Sequence, residues 1–154
     1  MKKLSMLVEW IRPIGLIALY FFAYKFGSDP EMKFHILGPI TVIIMSGTVS
    51  FESIFLGEAA SDKIGYKPNR AYQIQSGLAN LAMALTGLIV FAMNWGRFAD
   101  VTIVIVMLLF FIFSSINHVI IAVKEKDFKP VNLMRPVMAL VLAGMLLPSM
   151  FAII

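Results

Sequence analysis

Five long apolar stretches leave this chain little freedom in what it can fold into. They cover residues 7–26, 34–55, 71–93, 101–123 and 133–154. Each is close to the roughly 20 residues that a helix needs to cross the hydrocarbon core of a bilayer. A membrane β-barrel would instead carry alternating segments of about ten residues. We therefore predict an all-α integral membrane bundle of five transmembrane helices, forming a single domain over residues 1–154.

The composition of the chain agrees with a membrane fold. Of its 154 residues, 60% are hydrophobic and 14% are charged, whereas soluble domains average about 45–50% apolar and about 25% charged residues. So little chain remains between the stretches that a soluble domain has no room. The absence of cysteine excludes disulfides, thiolate metal sites and cysteine nucleophiles.

The positive charges predict how the bundle is oriented. Of the thirteen lysines and arginines, only Lys25, Lys33 and Arg97 fall on one side of the predicted bundle. All the others fall on the side of the N-terminus. Because short basic loops stay in the cytoplasm, we predict a cytoplasmic N-terminus and an outer C-terminus, in the inner (plasma) membrane. The net charge of +4 then reflects topology and contact with membrane lipids, and we expect no nucleic-acid partner.

Local patterns predict how the helices begin, end and pack. Pro13 is expected in the first turns of the first helix, where a missing amide donor costs least. The second helix is expected to reach residue 55 and could continue to Gly65. The third helix carries a stripe of small and polar residues suited to close packing, at Ser76, Asn80, Ala84 and Gly87. We expect this third helix at the centre of the bundle, largely shielded from lipid.

Glu52 is the sharpest candidate among the polar residues, which collect in the cytoplasmic half while the outer half is nearly all aliphatic and aromatic. It lies one to two turns inside the predicted second helix, with Thr41, Met45 and Thr48 on its face. A charged group at the bilayer centre costs about 2.5–3.5 kcal/mol, so it persists if paired, protonated or facing water. One interpretation is that Glu52 acts as a proton or cation carrier, or as a general acid or base. Alternatively, it forms a structural ion pair, with Arg12 or Arg135 as partner, or reaches the inner interface.

The other candidates each have a functional and a structural interpretation. His118 could relay a proton or sit at the interface, and Asn80 and Gln75 could bind a ligand or bridge helices. Glu58 could act as an acid or base, or simply lie at the membrane surface.

Arg12 and Arg135 could clamp a phosphate or carboxylate, or anchor the helices to lipid headgroups.

Several classes of chemistry are excluded by the sequence. The only histidines, His35 and His118, fall on opposite sides of the predicted bundle, so a histidine-box metal site cannot form. The chain has no HExxH, P-loop or dinucleotide motif and no GxSxG elbow. We expect no metal and no cofactor.

Two segments of the chain carry a family resemblance. The segment Phe51-Glu52-Ser53 through Gly57-Glu58-Ala59-Ala60, with Tyr72-Gln73-Ile74-Gln75-Ser76-Gly77-Leu78-Ala79-Asn80, resembles small bacterial multi-pass inner-membrane proteins of unknown function. The resemblance covers the second and third helices. Because such families have no assigned activity, it implies no functional residue.

The function we expect first is that of a small inner-membrane binding or transport protein. A polar, protonatable cavity open to the cytoplasmic side would contain Glu52, Asn80 and His118, with Gln75 nearby. The first alternative is a membrane-embedded enzyme acting on a lipid or other hydrophobic substrate at the inner leaflet. The second is an accessory or structural subunit of a membrane complex. The partners we expect are membrane lipids, a small hydrophobic or anionic ligand, and a second copy of the chain in a homodimer.

Overall fold

The fold is a helical bundle, seen in a computed structural model that describes residues 2–64, 67–126, 128 and 130–154. These residues form six helices and no strand: α1 (Lys2–Phe26), α2 (Pro30–Phe55), α3 (Gly57–Ile64), α4 (Arg70–Met93), α5 (Arg97–Glu125) and α6 (Pro130–Phe151). All except the short α3 are long and apolar enough to cross a membrane. The prediction of an all-α fold with five spanning helices is confirmed.

Short connections at one end of the bundle are fixed by helix caps. The carboxylate of Asp29 accepts a hydrogen bond from the backbone N–H of Met32 at 2.9 Å, and Pro30 opens α2. This bond lowers the pKa of Asp29 from its ordinary value, because it favours the charged form, and the Ser28 hydroxyl adds to the effect. Asn94 ends α4 in the left-handed conformation with φ of 48°. These caps allow α1, α2, α4 and α5 to turn back within a few residues.

The end of α2 differs from the longer helix that the sequence allowed. The helix stops at Phe55, and Leu56 leaves helical geometry with φ of −123° and ψ of 19°. A new helix, α3, then begins at Gly57, where a side chain would collide with Oε1 of Gln73. The missing side chain lets Gln73 donate hydrogen bonds to the Gly57 carbonyl at 3.0 Å and to Ser61 Oγ at 2.7 Å. Gly65, the other predicted stop, lies outside the described residues.

The start of α1 also differs from the prediction. The helix begins at Lys2, so Pro13 lies in its interior and not in its first turns. Ser5 and Val8 are 1% and 5% exposed. Tertiary contacts therefore extend the helix ahead of the apolar run that sequence reasoning used to locate its start.

The central helix of the bundle is α2. It contacts each of the other five helices, and 61% of its most apolar window is buried, against 22–28% for the other spanning helices. The expectation that α4, the third predicted span, lies at the centre is therefore wrong. Its small-residue stripe packs closely on α2, since a Cβ at Gly87 would come within 3.2 Å of Val42 Cγ1, and a Cβ at the neighbouring Gly77 within 2.6 Å of Ile54 Cγ1. The stripe occupies only one face of α4, and the remaining faces stay exposed.

The backbones of α1 and α6 stand apart in the bundle. Among the described residues, no Cα atom of α1 lies within 8 Å of a Cα atom of α6. By the same Cα distance, α1 packs on α2 and α3, whereas α6 packs on α5, α2 and α3. The backbones of the first and last spanning helices are therefore separated, and a side-chain hydrogen bond between Tyr24 and Ser149 joins the two helices at the end away from Arg12.

The close approach of α4 to α2 predicts that Gly77→Val destabilises the protein. The new side chain must displace Ile54 and Ser53, and overpacking of this kind costs about 1–3 kcal/mol. We expect a lower melting temperature in detergent than for the wild-type protein. Gly144→Val is the matched control, because a Cβ at Gly144 meets no atom of the described residues within 4 Å. Equal losses for the two variants would contradict close α2–α4 packing as the cause.

Candidate functional site

Glu52 is buried in an ion pair with Arg12. Only 5% of its surface is exposed. The Nη2 group of Arg12, on α1, donates a hydrogen bond to Glu52 Oε2 at 2.8 Å, and the hydroxyl of Ser5 donates to Oε1 at 2.5 Å. Both carboxylate oxygens are thus hydrogen-bonded to α1. Of the states that the sequence left open for this carboxylate, the structure contains the ion pair with Arg12.

The guanidinium of Arg12 is fixed by a second residue of α2. Its Nε donates to Thr48 Oγ1 at 3.0 Å, and the Thr48 hydroxyl donates onward to the Ile44 carbonyl at 2.7 Å. Thr48 and Glu52 are four residues apart and share a face of α2, as the sequence predicted. Two anchoring points on one rigid helix therefore set the position of the Arg12 side chain.

A cavity of about 340 Å³ adjoins this ion pair. It lies between α1, α2, α5 and α6, so it occupies the region where α1 and α6 stand apart. Its polar lining residues are Glu9, Arg12, Ser114, Ser115 and Arg135, and its apolar ones include Met45, Val49, Phe111, Met138 and Leu142. Three of these lining residues are charged, and hydrophobic side chains form most of the remaining wall.

Three of the candidate residues come together at this cavity. Arg12 and Arg135 both line it, from α1 and α6. Glu52 adjoins it through Arg12 but does not itself belong to the lining. The Arg135 carbonyl also accepts a hydrogen bond from Ser115 Oγ at 3.3 Å, which ties this part of α6 to α5.

Asn80 and Gln75 lie elsewhere, on α4. Asn80 is fully buried on the face of α4 that packs against α2, and its Nδ2 donates to the Ser76 carbonyl at 2.9 Å. Gly47, whose nearest neighbour across the interface is Ala84, lies on the α4 side of α2. That side is roughly opposite the cavity-lining Met45 and Val49 at 100° per residue. Asn80 therefore lies across α2 from the cavity, and Gln75 is exposed.

His118 and Glu58 lie outside the cavity lining as well. His118 is 8% exposed and lies one turn beyond Ser115 on α5, within electrostatic range of Arg135. Glu58 is exposed in the first turn of α3. The candidate residues thus divide into a group of three at the cavity and four separate positions.

Three polar residues that line the cavity are not among the candidates identified from the sequence. Glu9, Ser114 and Ser115 line it together with the two arginines. The signal for Glu9 was available, because it lies three residues before Arg12 and shares its helix face. The two serines are small and common in helix interfaces, so nothing in the sequence distinguished them from packing residues.

A second buried polar pair at the opposite end of the bundle was also missed. His35 Nδ1 lies 3.0 Å from Asp100 Oδ2, and Asp100 is 1% exposed. The His35 ring stacks on Phe91 with ring centroids 5.1 Å apart. The half of the bundle expected to be nearly all aliphatic and aromatic thus contains one polar pair near the N-termini of α2 and α5. Because α2 and α5 start from the same end, residues near their N-termini lie at similar depth, and this was the usable signal.

The described residues contain no group of three or more histidine, cysteine or carboxylate side chains that could hold a metal ion.

The chain can be assigned to a protein family by its similarity to a family model. A family model matches residues 31–153, which is more than half of the chain. The chain belongs to DUF6790, a family of unknown function. No curated protein and no solved structure matches the chain.

The DUF6790 match divides the site into two parts. Helices α2 to α6 fall within the matched range, including Glu52, Thr48 and Arg135. Helix α1, which supplies Arg12 and Ser5, precedes it. The residues that hold the Glu52 carboxylate in this chain therefore come from outside the segment that the DUF6790 model describes.

The buried ion pair predicts strong coupling between Arg12 and Glu52 in stability. Glu52→Gln or Arg12→Gln alone leaves one buried charge without its partner, and each should cost about 3 kcal/mol of unfolding free energy. The double variant should cost clearly less than the sum of the two, as measured by detergent or urea unfolding. Glu58→Gln is the control, because Glu58 is exposed. Additive effects of the two substitutions would contradict a coupled pair.

Proposed function

We propose that the protein is a small membrane binding or transport protein whose ligand occupies the cavity between α1, α2, α5 and α6. The observation that carries the proposal is the cavity itself, with two arginines and a carboxylate set against apolar walls. Ligand sites are typically recesses of about 300–1,000 Å³ with mostly apolar lining and a few polar groups that fix orientation. The excess of lysine and arginine on the side of the N-terminus supports an inner (plasma) membrane location, with the cavity in the cytoplasmic half of that membrane.

The gap between α1 and α6 supports binding of a ligand from the side. The two helices have no Cα atoms within 8 Å of each other in the described part of the chain. A ligand can therefore pass between the two helices without disrupting close packing of their backbones. Relative motion of α1 and α6 would also change the width of the cavity, which is what release on either side of a membrane requires.

Glu52 is the group that we expect to exchange a proton when the ligand binds. Its carboxylate is balanced by Arg12, and Arg12 also faces the cavity. A ligand that engages Arg12 weakens this pair and favours the neutral form of Glu52. The other ionisable groups nearby are Glu9 and Arg135 in the cavity, His118 on α5, and the exposed Glu58, Asp62 and Arg70.

A membrane-embedded enzyme is the second candidate, favoured by one observation. The cavity combines a carboxylate, Glu9, and a hydroxyl, Ser114, with two arginines that could hold a headgroup. This is a set suited to acid–base chemistry on a lipid at the inner leaflet. Release of a new product from lipid incubated with the purified protein would favour this candidate over passive binding. The remaining alternative, an accessory subunit of a membrane complex, requires no small-molecule ligand at all.

The proposal predicts that filling the cavity removes the ligand. Ser114→Phe introduces a large side chain into the lining without changing charge. Native mass spectrometry of protein released from mild detergent should detect a retained small molecule or lipid in the wild type but not in this variant. Asn117→Phe is the matched control, since Asn117 is exposed one turn along the same helix. Absence of any ligand from wild type and both variants would favour the accessory subunit.

A second measurement addresses the proton. The ligand detected by mass spectrometry is titrated by calorimetry in buffers of different ionisation enthalpy. Its binding should take up a proton in the wild type and none in Glu52→Gln. Glu58→Gln should behave as the wild type, because Glu58 is exposed and outside the cavity. Identical affinity and proton uptake for Glu52→Gln and the wild type would remove Glu52 from the mechanism.

A further inference from the structure

The charges around the cavity restrict what kind of ligand it can hold. Two guanidinium groups, those of Arg12 and Arg135, line the same cavity from opposite walls, α1 and α6. Arginine presents a planar set of donors that matches phosphate and carboxylate oxygens. Basic recesses between transmembrane helices on the cytoplasmic side are also where anionic lipid headgroups bind. The polar part of the cavity is therefore suited to an anion.

Two carboxylates set the conditions under which an anion binds. Glu9 lines the cavity, and Glu52, which does not line it, forms the ion pair with Arg12. With both ionised, the four side chains are balanced, so an incoming anion competes with Glu52 for Arg12. A neutral Glu52 ends that competition. The arrangement predicts that removing the Glu52 charge strengthens the binding of an anion.

The rest of the cavity is suited to a hydrocarbon chain. Met45, Phe111 and Leu142 line it from three different helices. Trp10 lies at its α1 wall with 66% of its surface exposed, as expected of a side chain at a mouth that faces lipid. Because no Cα atom of α1 lies within 8 Å of one of α6 in the described residues, the backbone leaves a lateral path to the cavity beside this residue.

We infer that the cavity binds an anionic amphiphile, a molecule with a phosphate or carboxylate headgroup and an apolar chain, which enters from the bilayer between α1 and α6. Arg12 and Arg135 hold the headgroup, and the apolar wall holds the first part of the chain. This inference rests on the proposed function, since it names the class of ligand for the same cavity. Glu52 acts here as a positioning residue: it orients Arg12, and the headgroup replaces it as the partner of Arg12 when the ligand binds.

The test compares three probes on the protein in a mild non-ionic detergent. These are 1-palmitoyl lysophosphatidate, lysophosphatidylcholine with the same chain, and inorganic phosphate, each titrated and followed by native mass spectrometry. We expect one lysophosphatidate per chain, bound about tenfold or more tightly than lysophosphatidylcholine, as one additional charge-assisted hydrogen bond would give. Equal affinity for the two lipids overturns the anionic headgroup. Binding of inorganic phosphate as tight as that of lysophosphatidate overturns the route from the bilayer.

Variants separate the cavity arginines from general surface charge. Arg135→Gln should weaken lysophosphatidate binding about tenfold and weaken that of lysophosphatidylcholine less, because the single charge of its phosphodiester is balanced by choline. Lys124→Gln is the matched control, because it removes the same charge from an exposed position at the same end of the bundle. An equal loss in the control would assign the effect to surface attraction and overturn the inference.

The Glu52 pair gives an effect of opposite sign. Glu52→Gln should tighten lysophosphatidate binding, since Gln is uncharged and nearly the same size. Replacing Arg12 as well, in Arg12→Gln/Glu52→Gln, should weaken binding below that of Glu52→Gln without leaving a buried charge unpaired. If Glu52→Gln weakens the binding of lysophosphatidate, the competition between ligand and carboxylate is wrong.

The cavity-filling variant Ser114→Phe distinguishes a failure of the proposed function from a failure of the anionic ligand class. If Ser114→Phe leaves the binding of every probe unchanged, the cavity is not the binding site and the proposed function itself fails. If Ser114→Phe abolishes the binding of both lipids but Arg135→Gln changes neither, the cavity binds ligands and only the anionic class is wrong.

Discussion

The burial of α2 is the constraint on which the rest of the structure depends. A largely buried helix cannot satisfy ionisable side chains with water, so a buried ionisable group on it must be met by a neighbour. Glu52 is met by Arg12 and Ser5 of α1, and His35 is met by Asp100 of α5. The polar residues of the central helix therefore determine where two other helices attach, one near each end of the bundle.

This constraint also explains which predictions from the sequence succeeded. Hydropathy identifies the spanning helices one at a time, because each needs about 20 apolar residues. The position of a helix within the bundle depends instead on how many of its faces are covered. The small-residue stripe of α4 correctly indicated a close contact, but a single close contact on one face did not make α4 central. Gly47 and Gly38 of α2 gave a similar signal, spread over more than one face.

The candidate site was predicted in the same partial way. Glu52 could be identified alone, because a carboxylate inside a spanning helix requires an explanation, and the choice of partners could be narrowed to two arginines. Which arginine pairs with it depends on the rotation of α1 about its axis, which composition and charge do not determine. His35 and Asp100 escaped notice for a different reason. Each lies near the start of a predicted helix, where an interfacial position explains a polar residue and no partner is needed.

The attachment of α1 links the charge pair to access to the cavity. Helix α1 packs on α2 and α3 and leaves a gap toward α6, so the Arg12–Glu52 pair is one of the contacts that hold it to the bundle. The same arginine lines the cavity beside that gap. A group that binds Arg12 therefore weakens an attachment of the helix that forms one wall. Under the proposed function, occupation of the cavity, the charge state of Glu52 and the position of α1 are therefore coupled through the side chain of Arg12.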